Sequence, residues 1–400
     1  MSVNSSLDVD CSNQTLAVRA GIESDEQYGA VTPPLYLSSN YTFHDLNKPR
    51  KYDYSRSGNP TRDILGKALA QLEEGYDAVV TSSGMSAVYL VTHLLKKGEL
   101  IVAPHDCYGG TYRLFNSLKE KGVFQVEFVD QGDIGELSKV LAKKPKLLWI
   151  ETPSNPLLRV VDIAAICEQA GDDVIKVVDN TFLSPIAQRP LTLGADIVVH
   201  STTKYINGHS DVVGGAVVAK EEELWEQLAW WANCTGITGS PFDSFITTRG
   251  LRTLAVRVKQ HTENTKEVIN YLLEHPLVDE VYYPGLATHP THEIAKKQQY
   301  DFGAMLSFTL NLQKANLRTF VNSLEYFSLA ESLGGVESLI CHPATMTHAA
   351  MDPEARAKAG IGDDLLRLSV GIENVADLIK DLDAAFKRSQ IQLLKDHHNG

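Results

Sequence analysis

One uninterrupted apolar run, followed by hydroxyl residues and a lysine, constrains the fold of this chain more than any other feature. The run is Ile197–Val199, within the stretch ADIVVHSTTKYINGHSDVVGG. Because it does not alternate with polar residues, it predicts a strand covered on both faces, as in a parallel α/β sheet. Such sheets bind ligands beyond the carboxyl ends of their strands, so we expect Ser201, Thr203 and Lys204 to face a ligand site.

Two interpretations of Lys204 stay open on this stretch alone. Lysines are mostly exposed, so Lys204 could be an ordinary solvated loop residue. Alternatively, a lysine at a strand's carboxyl end, with short hydroxyls beside it for a phosphate, is where a lysine that binds pyridoxal phosphate belongs. The rest of the chain favours the second interpretation.

Composition excludes several partners. The 400 residues carry a formal charge of −13, with no basic block, which argues against nucleic acid or an anionic membrane surface as the main partner. The five cysteines are scattered and form no C-x-x-C pair, so we expect no disulfide framework and no metal site. With no signal peptide and no long apolar run, we predict a cytoplasmic protein that does not enter membranes.

Apolar strand-like runs alternate with helix-like stretches through the middle of the chain. This alternation predicts a mostly parallel, doubly wound sheet of the α/β class. Polar residues cluster just after four of the runs, and we expect these four corners to line one crevice. The corners are His105–Gly110, Ser154–Pro156, Asp179–Thr181 and Ser201–Lys204.

Asp179 and Tyr108 are the candidates for holding an aromatic ring. Asp179 ends the run Ile175–Val178, so burial should require a compensating cation such as a protonated pyridine nitrogen. It could instead cap the next turn. Tyr108 could stack on the ring or be a half-buried residue beside a Gly-Gly turn.

The first 62 residues read as an extended arm, since they show no sustained period of either kind. The arm ends in YSRSGNPTR, where Thr61 is predicted to cap a helix and Tyr54 and Arg56 precede the turn. Next, Ser83-Gly84-Met85 follows a short strand and predicts a helix that runs to Gly98. Its free N–H groups would suit a phosphate.

We predict three parts: an arm over 1–62, a large domain over 63–255 and a smaller C-terminal α/β domain over 256–400. The last begins with a long helix, from Arg252 to about Glu274, and continues with further strand-like runs. Arg367 lies in one of these runs between apolar neighbours. Its guanidinium must either reach water or find an anion, which could be a substrate carboxylate or an internal carboxylate.

Together these motifs resemble the family of pyridoxal-phosphate enzymes of cysteine and methionine metabolism, from about residue 15 to about 390. The matching stretches are YSRSGNPTR, SSGMSA, APHDCYGGTYR, ETPSNP, VVDNTF, HSTTKYINGHSDVVGG, LAESLGGVESL and RLSVGIE. The resemblance implies the aspartate-aminotransferase-like fold (fold type I), a pyridoxal 5'-phosphate cofactor and a homotetramer built as a dimer of dimers.

The resemblance also implies site residues, position by position. Lys204 would bind the cofactor covalently, Asp179 would pair with its pyridine nitrogen, and Tyr108 would stack on its ring. The phosphate would be held by Gly84, Met85, Ser201 and Thr203, with Tyr54 and Arg56 reaching in from the neighbouring subunit. Arg367, Asn155 and Ser332 would bind the α-carboxylate of the substrate.

Within the family, stretches such as VDQGD, LAWWAN and FGAMLSF are similar to those of members that join an acyl-homoserine to cysteine. The activity implied is γ-replacement of O-succinyl-L-homoserine by L-cysteine, the trans-sulfuration step of methionine biosynthesis. Arg113 and Arg56 are candidates for the distal carboxylate of the succinyl group. Glu331 is either a candidate for the ammonium of the incoming amino acid or a structural residue. The alternatives are elimination from cystathionine or methionine and, more remotely, a cofactor-free binding protein.

Overall fold

The structure is a computed structural model that describes residues 11–349, Glu354, Arg356 and 359–396, with side chains up to residue 390. Within these ranges, no helix combines the length and the hydropathy needed to cross a membrane.

A seven-stranded sheet forms the larger half of the molecule. Its order is β1-β7-β6-β5-β4-β2-β3, and only β7 runs antiparallel to its neighbours. The predicted α/β class with a mostly parallel sheet is therefore confirmed. The strands are β1 Asp77–Thr81, β2 Leu100–Pro104, β3 Gln125–Val129, β4 Leu147–Glu151, β5 Ile175–Asp179, β6 Ile197–His200 and β7 Gly215–Ala219.

Two hydrophobic cores cover the faces of this sheet. In β6, Val198 packs into one core, whereas Ile197 and Val199 pack into the other, and all three are buried. Successive side chains of a strand point to opposite faces, so a strand between two cores needs a continuous apolar run. The helices of this half are α1 Asn13–Val18, α2 Pro60–Glu73, α3 Gly84–Thr92, α4 Gly109–Glu120, α5 Ile134–Leu141, α6 Ile163–Ala170, α7 Ser184–Ala187, α8 Glu222–Thr235 and α9 Pro241–Leu251.

Two predicted helix ends were wrong. Helix α2 is capped by Asn59, not Thr61, because the Asn59 side chain accepts the N–H groups of Thr61 and Arg62 at 2.9 and 3.2 Å. Pro60 takes the first helical position, which needs no N–H donor. Helix α3 ends at Thr92, six residues before Gly98, and the next three residues donate only to carbonyls three positions back.

A five-stranded sheet forms the smaller half, with the order β10-β11-β12-β9-β8. Only the β10–β11 pair is parallel. Helix α10 joins the halves, because Leu254 packs in one core of the large sheet and Leu272 in that of the small sheet. The elements are α10 Leu254–Leu273, β8 Val278–Tyr282, α11 His292–Gln298, β9 Met305–Leu310, α12 Leu317–Asn322, β10 Ser328–Leu329, β11 Leu339–Cys341, β12 Leu365–Ser369 and α13 Val375–Asp396.

Candidate active site

A cavity of about 400 Å³ lies at the carboxyl ends of β4, β5 and β6. Every predicted site residue except Tyr54 and Arg56 lines it, and each of the four predicted corners contributes at least one lining residue. These lining residues are Gly84, Met85, Tyr108, Arg113, Asn155, Asp179, Ser201, Thr203, Lys204, Glu331, Ser332 and Arg367. The cavity therefore joins the edge of the large sheet to β12 of the small one.

Lys204 projects its amine into this cavity. Its Nζ donates to Ser332 Oγ at 2.7 Å. Burial, and then the charge of Arg367, lower the pKa of Lys204 to about 8, against a smaller opposing effect of Glu331. This amine consequently loses its proton more readily near neutral pH than an ordinary lysine does.

The ends of β5 and β6 are tied together beside Lys204. Asp179 Oδ1 accepts the Thr181 N–H at 3.0 Å, and Thr181 Oγ1 accepts the Ser201 N–H at 2.9 Å. Burial raises the pKa of Asp179, while the hydrogen bonds from Thr181 act in the opposite direction. An acid in this position favours a cationic neighbour inside the cavity.

Glu151 is a lining residue that the sequence reasoning missed. It pairs in register with Asp179 on the adjacent strand, and its two oxygens accept the Tyr108 N–H at 3.1 and 2.9 Å. Burial, and then the nearby Asp179, raise the pKa of Glu151 well above its ordinary value. The signal that could have found it is its place at the end of β4, equivalent to that of Asp179 in β5.

Short side chains and the start of α3 also line the cavity. The Ser83 side chain caps α3 by accepting the Ser86 N–H at 3.0 Å. A Cβ on Gly84 would lie 2.7 Å from Ser201 Cβ, so only glycine allows the helix to approach this hydroxyl so closely. Likewise, a Cβ on Gly110 would lie 2.5 Å from the Tyr108 ring. Free helix N–H groups and hydroxyls here provide an anion site.

Arg367 enters the cavity from the interior of β12. It is 3% exposed, and its two terminal nitrogens donate to Asn155 Oδ1 and to the Ser332 carbonyl, each at 2.9 Å. Among the described residues its Nε has no hydrogen-bond partner, and none of the ion pairs involves this guanidinium. Neutral oxygens therefore orient Arg367 and leave its charge available to an anion.

Tyr54 and Arg56 lie outside the lining of this cavity. Arg56 donates instead to the backbone carbonyl and the side-chain oxygen of Asn233, the latter at 3.0 Å. The Tyr54 ring is 48% exposed. The structure thus does not bring these two residues to the cavity of their own chain.

Comparisons with known proteins agree over nearly the whole chain. The family model described as "Cys/Met metabolism PLP-dependent enzyme" matches residues 14–387. A cystathionine gamma-synthase of Escherichia coli (strain K12) is 58% identical over 375 residues, which cover 93% of this chain and 97% of the relative.

Solved structures extend this likeness to the fold. A crystal structure of cystathionine gamma synthase from Xanthomonas oryzae pv. oryzae, in complex with cystathionine, superposes with a TM-score of 0.93 at 59% identity, covering 94% of this chain and 98% of that one. A cystathionine gamma-lyase from Lactobacillus plantarum, complexed with L-serine, gives a TM-score of 0.92 at 40% identity, covering 95% and 100% of the two chains.

Proposed function

The chain belongs to the Cys/Met metabolism PLP-dependent enzyme family, and from that premise we propose that it acts as a cystathionine γ-synthase. The reaction is the replacement of the acyloxy group of O-succinyl-L-homoserine by L-cysteine, which gives L-cystathionine and succinate. One observation carries the proposal: a single cavity contains the amine of Lys204, the acid Asp179 and the guanidinium of Arg367. The relative at 58% identity bears the name of this activity.

The lining residues fit pyridoxal 5'-phosphate, the cofactor of the family. Asp179 and Glu151 are acids at adjacent strand ends, and among the described ion pairs neither has a cationic partner, so a protonated pyridine nitrogen would compensate them. The hydroxyls of Ser201 and Thr203, with the N-terminal residues Gly84 and Met85 of α3, suit the phosphate. When bound, pyridoxal phosphate supplies an electron sink that makes the hydrogens on substrate Cα and Cβ acidic.

Lys204 would bind the cofactor covalently and afterwards carry protons on Nζ. A base works best when its pKa lies near the working pH, and the pKa of Lys204, lowered to about 8, meets this condition. The hydrogen bond to Ser332 Oγ orients Nζ toward the cavity. Tyr108 would cover the ring, held at its backbone N–H by Glu151.

Arg367, with Asn155 and Ser332, would bind the α-carboxylate of the substrate. Its orientation by Asn155 Oδ1 and the Ser332 carbonyl leaves a desolvated cation facing the cavity. Arg113, which also lines the cavity, and Arg56 are the candidates for the distal carboxylate of the succinyl group. A charge contact discriminates succinyl from acetyl more strongly than the ~1–3 kcal/mol of a methylene. Glu331 could steer the ammonium of cysteine.

We further propose a homotetramer, a dimer of dimers, in which Tyr54 and Arg56 complete the phosphate site of the neighbouring subunit. Both residues lie outside the cavity of their own chain. Their arm exposes large apolar side chains, including Tyr28 at 83% and Leu46 at 85%, which a second subunit would cover. The cytoplasmic location stays a prediction, in accord with five free thiols.

Product analysis tests the activity directly. The purified enzyme is incubated with O-succinyl-L-homoserine and L-cysteine, and cysteine-dependent cystathionine is measured against α-ketobutyrate. Release of α-ketobutyrate from cystathionine as the main reaction would favour the γ-lyase alternative. A relative that is 40% identical bears the name of that activity. A kinetic preference for the acetyl or phosphate ester would contradict the succinyl assignment.

Lys204→Ala tests the cofactor chemistry separately. This variant should lose both turnover and the visible absorbance of the bound cofactor. Retention of both would contradict the role proposed for Lys204, whereas a parent enzyme with neither visible absorbance nor turnover would favour a cofactor-free binding protein.

A further inference from the structure

A buried polar cluster lies beneath the active site and is not among the residues that line the cavity. Glu73 Oε1, at the end of α2, contacts His200 Nε2 at 2.6 Å and accepts from Asn180 Nδ2 at 2.9 Å. Asn180 and Gln188 are further joined by two mutual hydrogen bonds, of 2.8 and 3.1 Å. All four residues are 0% exposed. The cluster therefore joins α2 to the ends of β5 and β6 from within the core.

This cluster is costly for the folded protein. A carboxylate and an imidazole have been removed from water, and Glu73 Oε2 and His200 Nδ1 lack hydrogen-bond partners among the described residues. Buried polar pairs are often no more stabilising than apolar residues of similar volume, because desolvation offsets their attraction. Stability alone is thus a weak reason for a Glu–His pair at this position.

The position of the pair points to a different role. His200 directly precedes Ser201, and Asn180 lies between Asp179 and Thr181. Side chains alternate along β6, so His200 lies on the same face as Val198 and on the opposite face from Val199. His200 therefore restrains the strand end from the core and does not line the cavity. Glu73 thereby contacts Asn180 and His200, and the residue that follows each of them in the chain lines the cavity.

We propose that Glu73 and His200 form a positioning pair, which sets the spacing between Asp179 and Ser201 and so the affinity of the site for pyridoxal phosphate. Thr181, which bonds to both Asp179 and Ser201, links the strand ends from the cavity side. The pair links them from the core side. This inference rests on the cofactor roles proposed for Asp179 and Ser201.

The test measures cofactor binding rather than turnover. Cofactor-free protein is titrated with pyridoxal phosphate, followed by tryptophan emission, and the visible circular dichroism of the loaded protein is recorded. Glu73→Gln and His200→Asn should each raise the Kd about tenfold, the scale of one charge-assisted hydrogen bond, and alter the dichroism. Thermal unfolding of each variant reports stability separately.

Asp381→Asn is the matched control. Asp381 is a buried carboxylate, 6% exposed, which accepts the N–H groups of residues 325–327 in the small half, at 2.8 to 3.3 Å. This variant should lose stability but keep the Kd and the dichroism of the parent. Should one of the two pair variants not fold, the other decides.

Two results would overturn the inference: parental Kd and dichroism in a folded pair variant, or an equal rise of Kd in Asp381→Asn. An Asp179→Asn arm of the same titration separates this failure from that of the proposed function. If Asp179→Asn binds weakly and the pair variants bind normally, only the positioning role fails. If Asp179→Asn also binds normally, the cofactor role of Asp179 fails with it.

Discussion

The two sheets contribute to the active site in different ways. The large sheet presents the last residues of its strands, Glu151 and Asp179, and a residue beyond a strand end, Lys204. The small sheet contributes Arg367 from the middle of β12, between strands β9 and β11. Polar residues that follow parallel strands lie together at the carboxyl edge because of the topology of the sheet. A charged side chain inside a strand, in contrast, needs specific hydrogen-bond partners to offset the cost of its burial.

This difference assigns separate tasks to the two halves. The edge of the large sheet controls protonation, since it holds the two acids with raised pKa values and the lysine with a lowered one. The small sheet supplies a permanently charged guanidinium that is already oriented. Substitutions in the first group should change chemistry and the pH dependence, and those in the second should change substrate affinity.

Asp179→Asn should have the largest effect. At about 4 Å and an effective dielectric constant of 20, a carboxylate and a pyridinium attract by roughly 4 kcal/mol, so kcat should fall about a thousandfold. Asp196→Asn is the control, because Asp196 pairs with Lys176 before β6 begins, at the opposite end of the sheet. Steady-state kinetics measures kcat for both variants. An equal loss of kcat in the two would contradict the role that we assign to the acids at the cavity edge.

Lys204→Met should stabilise the cofactor-free protein at neutral pH. The pKa of Lys204 falls from an ordinary 10.5 to about 8 on folding, so between these values the unfolded chain binds more protons and stability rises with pH. The burial penalty, on the order of 3 kcal/mol, is present in the parent below pH 8 and gone above about 10.5. Denaturant unfolding at pH 7 and pH 10.5 should show the advantage of the variant shrinking, and a pH-independent advantage would contradict this.

Arg367→Leu should lower kcat/KM about a hundredfold, mostly through KM, because it removes a desolvated contact to the α-carboxylate. The visible absorbance of the bound cofactor should not change, since the small sheet does not hold the ring. Arg367→Lys should recover part of the affinity. A loss confined to kcat would instead show that Arg367 acts in the chemical step, as the residues of the large sheet do. The two sheets would then not have separate tasks.

Glu151→Gln should have the smallest effect, less than about threefold in kcat at pH 7. Burial raises the pKa of Glu151 and so favours its neutral form, which glutamine resembles, and glutamine keeps an oxygen for the Tyr108 N–H. Glu151→Ala leaves that N–H unpaired and should cost about tenfold. Equal losses in both variants would show that the charge of Glu151 matters, rather than its hydrogen bond.

Much of the large sheet could be predicted from sequence because β5 and β6 lie between two cores and need continuous apolar runs. Residues directly after those runs could be placed at one edge of the sheet, because parallel strands all end at that edge. The resemblance to the family supplied the roles of Ser332, Glu331 and Arg113, which neither period nor spacing marks. The structure places all three on the cavity that the strand ends define.

What the sequence reasoning missed depends on neighbours far along the chain. Asn59, rather than Thr61, caps α2, and the Thr61 hydroxyl instead accepts the N–H of Tyr36, 25 residues earlier. Glu151 is identified as an acid of the site by the register of β4 and β5, which pairs it with Asp179. His200 could be read as the end of an apolar run, but its partner Glu73 lies 127 residues away on α2.

Ser332 joins the two halves at a single residue. Its φ of +86° is in the left-handed region, where a non-glycine residue is strained. In this conformation its hydroxyl receives Lys204 Nζ while its carbonyl receives Arg367. One residue therefore contacts both the amine proposed to hold the cofactor and the guanidinium proposed to hold the substrate.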